Sequence, residues 1–363
     1  MELTASSALE LVSSFATEWP PTKLQDVQLR RVTGGLVNTL HLLTRSSKAK
    51  HEPTCVLIRH FGLENSLEEP PASSTTLTAT EQALVYQEMA RKGWGARIYG
   101  TFPGGRLEEY IDSRPLTAAE SIDPDILRDI ARSYARLHSL DVPLRKRSLT
   151  RMVGESKALV SKRMSKAALS LAALPSSNGG KLDGILRTYN WHQELDWLAL
   201  LFERHHCRPS IAIGDSNYLN VLIKNFPDLD CQVMLIDYET ATHTYRGIDI
   251  GGHFNDRMYN WGHATSELTG YDAHGEEERR SFCESYLAEM RELGQDLTEY
   301  DTVERLLLEA EIGMMWQIVF TILMCVVFDE EVEGDELFLE GLVHVAETYG
   351  RVKGEFLKRY GGE

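Results

Sequence analysis

The sequence predicts an α+β chain in two lobes: a small N-terminal lobe built on an antiparallel sheet and a larger, mainly helical C-terminal lobe. Three observations carry this. Strand-like apolar runs separated by turn residues crowd the first 112 residues and then fade; helical spacing dominates afterwards; and 363 residues are enough chain for two hydrophobic cores. The expected division is 1–112 and 113–363.

Taken in order, MELTASSALELV reads as the start of an amphipathic helix, without the positive flank and cleavage site of a signal peptide. Asp26 to Val32, Asn38 to Arg45 and Thr54 to Phe61 are strand-like. Between the first two lies GGLVN, where Gly34 and Gly35 permit close backbone approach to a phosphate, and a plain hairpin turn explains them equally well. Arg59 interrupts the apolar strand VLIRHFG, an expensive place for a cation unless something anionic meets it. Residues 64–80, rich in Pro, Ser, Thr and Glu, read as a mobile insertion, followed by a helix over EQALVYQEMARKG that ends near Gly93.

Beyond this helix, Asp123 and Pro124 form an N-cap and first-turn pair, and Ile126, Leu127, Ile130, Ala131, Tyr134 and Leu137 recur at helical spacing up to His138, read as a structural histidine. The one basic stretch, 145–166, reads as a solvated helix face, with association to an anionic membrane as the alternative. Leu174 to Gly184 reads as a loop. His205, His206 and Cys207 are adjacent and cannot converge on one point of a helix, which excludes a zinc site there. Gly313 to Phe328 is apolar but only sixteen residues long and bounded by acids, so it reads as a buried core helix and not a membrane span.

Composition excludes other classes. Hydrophobic residues make up 42% and charged residues 25%, as in ordinary globular chains, and the net charge of −16 argues against a general nucleic-acid-binding surface. Five scattered cysteines with no C-x-x-C pair suit reduced thiols and a cytoplasmic location.

The chemistry lies between Ile211 and Trp261. Asp215 is followed five residues later by Asn220 in a turn-rich loop, and the apolar run CQVMLI delivers Asp237 seventeen residues after Asn220. This is a phosphoryl-transfer layout. One carboxylate can accept the proton of an attacking hydroxyl, while an amide oxygen and a second carboxylate hold the magnesium that offsets a triphosphate's charge.

The run YRGIDIGGHFNDRMYNW, from Tyr245 to Trp261, resembles the segment that follows the metal aspartate in choline and ethanolamine kinases. The similarity includes Asp215, Asn220, Ile236 to Glu239, Asp249 to Gly251, His253 and Phe254, and extends to GGLVN, VLIRHFG and RIYGTFPGGRLEEYIDSR. The resemblance implies a protein-kinase-like fold that transfers phosphate from ATP, with Mg2+, to the hydroxyl of choline or ethanolamine at the entry to phospholipid synthesis. It implies that Gly34, Gly35 and Asn38 cover the nucleotide, that Arg59 contacts its phosphates, and that Glu109 to Ile111 offer backbone groups to adenine. Asp215 would be the base and Asn220 and Asp237 the magnesium ligands. Asp256, Trp261 and Trp316 would hold the substrate ammonium by charge and ring faces. Homodimers are common in that family.

Three departures stand out. Ile213 replaces the histidine that braces the loop two residues before the catalytic Asp; Gln82 falls where a helix glutamate would pair with Arg59, leaving Glu81 as the neighbouring candidate; and Val319, beside Phe320, replaces a second tryptophan after Trp316. They motivate two alternatives, a catalytically weak nucleotide-binding regulator and a kinase for another hydroxylated amine.

Overall fold

The computed structural model describes residues 3–32, 38–46, 52–62, 77–144, 152–158, 160–161, 177–226, 230–260, 267–325 and 336–361. They form two compact units, Met1–Arg114 with Lys224–Phe226, and Pro115–Ile223 with Pro227–Glu363.

The first unit opens with helix α1 (Ala5–Phe15), started by a capping box in which Thr4 Oγ1 accepts from the Ser7 N–H at 3.2 Å and Ser7 Oγ accepts from the Thr4 N–H at 3.0 Å. Strands β1 (Val27–Val32), β2 (Thr39–Arg45), β3 (Cys55–His60), β4 (Ile98–Phe102) and β5 (Gly105–Glu109) make one antiparallel sheet in the order β1-β2-β3-β5-β4. Its core joins Ala8, Val12 and Trp19 to Leu43, Val56, Ile58 and Leu107. Gly100 lets α1 lie against β4, because a Cβ there would sit 2.0 Å from the Phe15 carbonyl oxygen. Helix α2 (Ala79–Arg91) begins inside the stretch expected to be a mobile insertion: Thr78 and Glu81 form a second capping box, which fixes the helix start at Ala79. The rest of that insertion lies outside the described residues.

In the second unit, helix α3 (Pro124–His138) has Asp123 as N-cap and Pro124 in its first turn. After it come α4 (Ser177–Thr188), α5 (Trp191–Arg204), α6 (Arg246–Asp256), α7 (Glu276–Glu292), α8 (Val303–Cys325) and α9 (Glu336–Tyr360). Helix α4 corrects the expected loop over 174–184. Three glycines weaken its local propensity, but Leu182 and Leu186 are buried and α4 packs on α9, so tertiary contact overrides the loop signal. Of the basic stretch, 152–158 and 160–161 are described and are helical.

Two contacts organise this unit. Glu289 on α7 receives Arg132 and Arg136 of α3 at 2.7 and 2.6 Å. Helices α6 and α8 touch backbone to backbone: a Cβ on Gly251 would meet the Ala310 carbonyl at 2.1 Å, and one on Gly313 would meet the Gly247 carbonyl at 1.8 Å. At the head of α6, Arg246 is 0% exposed and bonded to both Glu309 and Asp301. Burial alone would lower its pKa, but these carboxylates outweigh that effect and keep it charged.

Candidate active site

Two nested strand pairs build the site. After the short strand β6 (Ser113–Pro115), strand β7 (Pro209–Ala212) pairs antiparallel with β10 (Thr242–Tyr245), and inside that pair β8 (Val221–Lys224) forms a hairpin with β9 (Val233–Leu235). The loops 213–220 and 236–241 therefore leave adjacent strand ends. Two hydrogen bonds tie them: the Ile236 N–H donates to the Asn220 carbonyl at 2.9 Å, and Thr240 Oγ1 donates to the Ile213 carbonyl at 2.7 Å. The seventeen-residue separation of Asn220 and Asp237 is closed by the hairpin.

Within the first loop, the Asn220 amide nitrogen donates to Asp215 Oδ2 at 3.3 Å and the Asn217 N–H faces Asp215 Oδ1 at 3.4 Å. Asn217 also caps the short 3-10 turn Tyr218–Asn220, which brings Asn220 back beside Asp215. Asp215 is open to solvent, so an acceptor can reach it. Desolvation by the protein packed behind the carboxyl raises its pKa; the Asn217 and Asn220 hydrogen bonds oppose the rise, and the Asp249 and Glu239 charges add to it. With its nitrogen committed to Asp215, Asn220 presents its oxygen on the other arm of the amide. Asp237 has φ +65°, a left-handed conformation unusual for a residue with a side chain, at the end of the β9 hairpin.

Asp249 of α6, 0% exposed, grips the loop from below: Oδ2 accepts from the Ile213 N–H and Oδ1 from the Gly214 N–H, both at 2.8 Å. His138 Nε2 lies 3.1 Å from the same Oδ2, and its Nδ1 lies 3.0 Å from the Tyr286 hydroxyl. The structural histidine at the end of α3 thus supports the loop through one intermediary. Asp256, at the other end of α6, accepts from the Tyr218 N–H at 2.8 Å, which sets it beside the loop.

Other expected residues fall elsewhere. Trp316 is 4% exposed in the core, edge-on to Phe202 with ring centroids 6.0 Å apart, and Phe202 stacks on Tyr245. The neighbouring Gln317, also on α8, reaches the loop and donates to the Gly214 carbonyl at 2.7 Å. Val319 is also buried. Gly34, Gly35 and Trp261 lie outside the described residues.

In the first unit, Arg59 makes a two-point contact with Glu108 of β5, at 2.7 and 3.3 Å, and Glu81 takes part in the α2 cap. Arg106 also bonds Glu108 and reaches Gln82 of α2 at 3.2 Å, so Gln82 joins the cluster through an arginine. Burial would raise the Glu108 pKa, but the two guanidiniums outweigh it and hold the carboxyl at about 2. Asn38 Oδ1 accepts from the Gly62 N–H at 3.3 Å. The Glu109 N–H donates to the Arg97 carbonyl at 2.8 Å, so that donor is already engaged inside the unit; the Ile111 carbonyl accepts from the Ser113 hydroxyl.

The sequence reading missed the weight of Arg246, Asp249 and Gln317. For Gln317 the available signal was a polar side chain inside the apolar run GMMWQIVF.

Among the described residues, no three or more His, Cys, Asp or Glu side chains cluster in a way that could hold a metal alone. Asn220 and Asp237 supply one neutral and one anionic oxygen donor. That small hard set fits magnesium, which keeps several waters and takes its other oxygens from phosphates.

Residues 29–332 match the family profile described as choline/ethanolamine kinase. A curated mouse choline/ethanolamine kinase is 30% identical over 294 residues, covering 77% of this chain and 68% of the mouse protein. Among solved structures, a choline kinase from Cryptosporidium parvum superposes with a TM-score of 0.71 at 19% identity, covering 98% of this chain and 97% of that one. An ethanolamine kinase from Plasmodium vivax gives 0.63 at 16% identity, covering 96% and 89%. At these identities the structural likeness establishes the fold, the two-lobed kinase-like architecture anticipated from the sequence.

Proposed function

Because the chain belongs to the choline/ethanolamine kinase family, a family of phosphotransferases with an alcohol acceptor, we propose that its site moves the γ-phosphoryl group of ATP to the hydroxyl of choline or ethanolamine. The observation that carries this is the convergence of Asp215 and Asn220 in one loop, with that loop tied to the segment bearing Asp237.

In this reading Asp215 orients the acceptor hydroxyl and takes its proton. The alcohol oxygen bonds to the γ-phosphorus as the bond from that phosphorus to the bridging oxygen breaks, and ADP leaves. The raised pKa of Asp215 makes it a better proton acceptor than an ordinary aspartate. Asn220 and Asp237 would hold magnesium, which when bound offsets the phosphate charge. Asp256 supplies a carboxylate for the substrate ammonium, and the left-handed backbone at Asp237 turns its side chain out of the strand path. In the N-terminal unit, nucleotide contacts are assigned to Asn38, Arg59 and the Glu109–Ile111 segment.

We place the protein in the cytoplasm, a reading that its reduced thiols support: among the described residues Cys55, Cys207, Cys231 and Cys283 are free.

The test is product formation from ATP and Mg2+ with choline, ethanolamine and the methylated ethanolamines. Asp215→Ala and Asp237→Ala should each lower turnover by at least about a hundredfold. Full turnover in either variant would sink the assignment of that residue. No product from any acceptor, with ATP still bound, would sink the substrate class.

A further inference from the structure

The loop that carries Asp215 is held from two sides by different helices. On one side α6 takes its donors: the Ile213 and Gly214 N–H groups point at the Asp249 carboxylate, and Ser216 Oγ donates to the Asp249 carbonyl at 3.1 Å. On the other side α8 takes an acceptor: Gln317 Nε2 donates to the Gly214 carbonyl at 2.7 Å and lies 3.4 Å from Ser216 Oγ.

The geometry of that second contact matters because the Gly214 carbonyl and the Asp215 N–H belong to one planar peptide unit. Fixing the carbonyl fixes the plane, and the plane sets the direction in which the Asp215 side chain leaves the backbone. Gly214 has φ +76°, and glycine has the widest torsional freedom of any residue, so nothing in its own covalent structure holds the plane in place. Nor can the side chain two residues before Asp215 do so through a hydrogen bond. Ile213 carries no donor, and it is 1% exposed among apolar neighbours. The molecule also leaves room for the contact. A Cβ at Gly252 would fall 2.4 Å from Ser216 Oγ and 3.1 Å from Gln317 Cγ, so any larger residue there would press on both members of the clamp. Gln317 is buried, a polar side chain within the apolar run 313–320 that meets this loop.

We infer that Gln317 is a positioning residue for Asp215, acting through the Gly214–Asp215 peptide plane; the inference rests on reading Asp215 as the catalytic base. It gives the loop, from a distant helix, a brace that the residue at 213 cannot supply. It also explains why a polar residue sits in the apolar run 313–320 of α8, the helix that crosses α6.

The experiment compares the full-length chain with Gln317→Met, which keeps the length of the side chain and removes the donor, and with Gln317→Glu, which keeps the shape and loses the donor when ionised. A misaligned base is expected to lower kcat by about tenfold to a hundredfold, with KM for ATP and for the amino alcohol within about twofold of the parent. In an Asp215→Asn background Gln317→Met should lower the residual rate no further, because both changes act on one group. Amide hydrogen exchange across 213–217 should accelerate in either variant without substrate present.

An unchanged kcat, a full multiplicative loss on top of Asp215→Asn, or unchanged exchange would each overturn the inference. Absence of any Asp215-dependent turnover in the parent chain is a different outcome. It overturns the reading of the site, and the exchange data still decide whether Gln317 holds the loop.

Discussion

Replacing Asp249 is the sharpest test of how the site is built. Its carboxylate is 0% exposed and takes two backbone N–H groups at 2.8 Å, with His138 Nε2 at 3.1 Å. In Asp249→Ala three donors lose their acceptor. A buried donor left unsatisfied costs about 1–3 kcal/mol. Ile213 and His138 are buried and bear that penalty, whereas Gly214 is partly open and water can replace its partner. Removing a buried carboxylate also returns some desolvation energy. The balance is a loss of about 3 kcal/mol, a substantial fraction of the roughly 5–15 kcal/mol that stabilises a typical domain. Asp249→Asn keeps one acceptor oxygen but turns an NH2 group toward a donor, and should lose about 2 kcal/mol. Urea denaturation of the second unit's signal measures both losses. Steady-state kinetics at a temperature where the variants remain folded should show kcat reduced about tenfold or more, since the Asp215 backbone is no longer held. A variant Asp249→Ala within about 1 kcal/mol of the parent, with kcat intact, would refute the idea that α6 positions this loop.

Two further outcomes follow from the charges. The Asp215 pKa is raised, so its protonated form is favoured by folding; that stability is present below the ordinary aspartate value of 3.8 and is lost as pH rises through the folded value. Asp215→Asn should therefore lower turnover to a small residual rate yet leave Tm at pH 7 equal to or above the parent's, and the acid limb of the parent's kcat/KM should lie above 3.8; a clear drop in Tm would contradict this. Glu108 behaves oppositely. Its folded pKa of about 2 against 4.5 means its stability is present above 4.5 and lost as pH falls toward 2, an effect of about 3 kcal/mol. Glu108→Gln should lower stability at pH 7 and flatten the acid decline measured by denaturation at pH 5 and pH 3, and parallel declines in variant and parent would refute the paired role of Arg59 and Arg106.

The sequence by itself determined the elements with strong local signals. Strands β1, β2 and β3 lie where alternating apolar runs end in turn residues, and α3 starts at Pro124 because Asp123 satisfies its first amides. It also determined the order of Asp215, Asn220 and Asp237, because the chemistry needs those oxygens and the chain supplies them in a short span. What it could not determine was the direction each side chain takes once helices pack. Periodicity says that an apolar helix is buried; it does not say which neighbour each face meets. Only the close crossing of α6 and α8, permitted by Gly247, Gly251 and Gly313, decided that Trp316 turns into the core and Gln317 turns to the loop. Only the register of β3 against β5, Arg59 opposite Arg106, decided that Glu108 would meet Arg59. Helix α4 formed despite its glycines for the same reason, since burying Leu182 and Leu186 against neighbours outweighs a weak local preference. Local sequence sets torsions and caps, whereas contacts between residues a hundred positions apart, such as Gln317 and Gly214, exist only after the chain has folded.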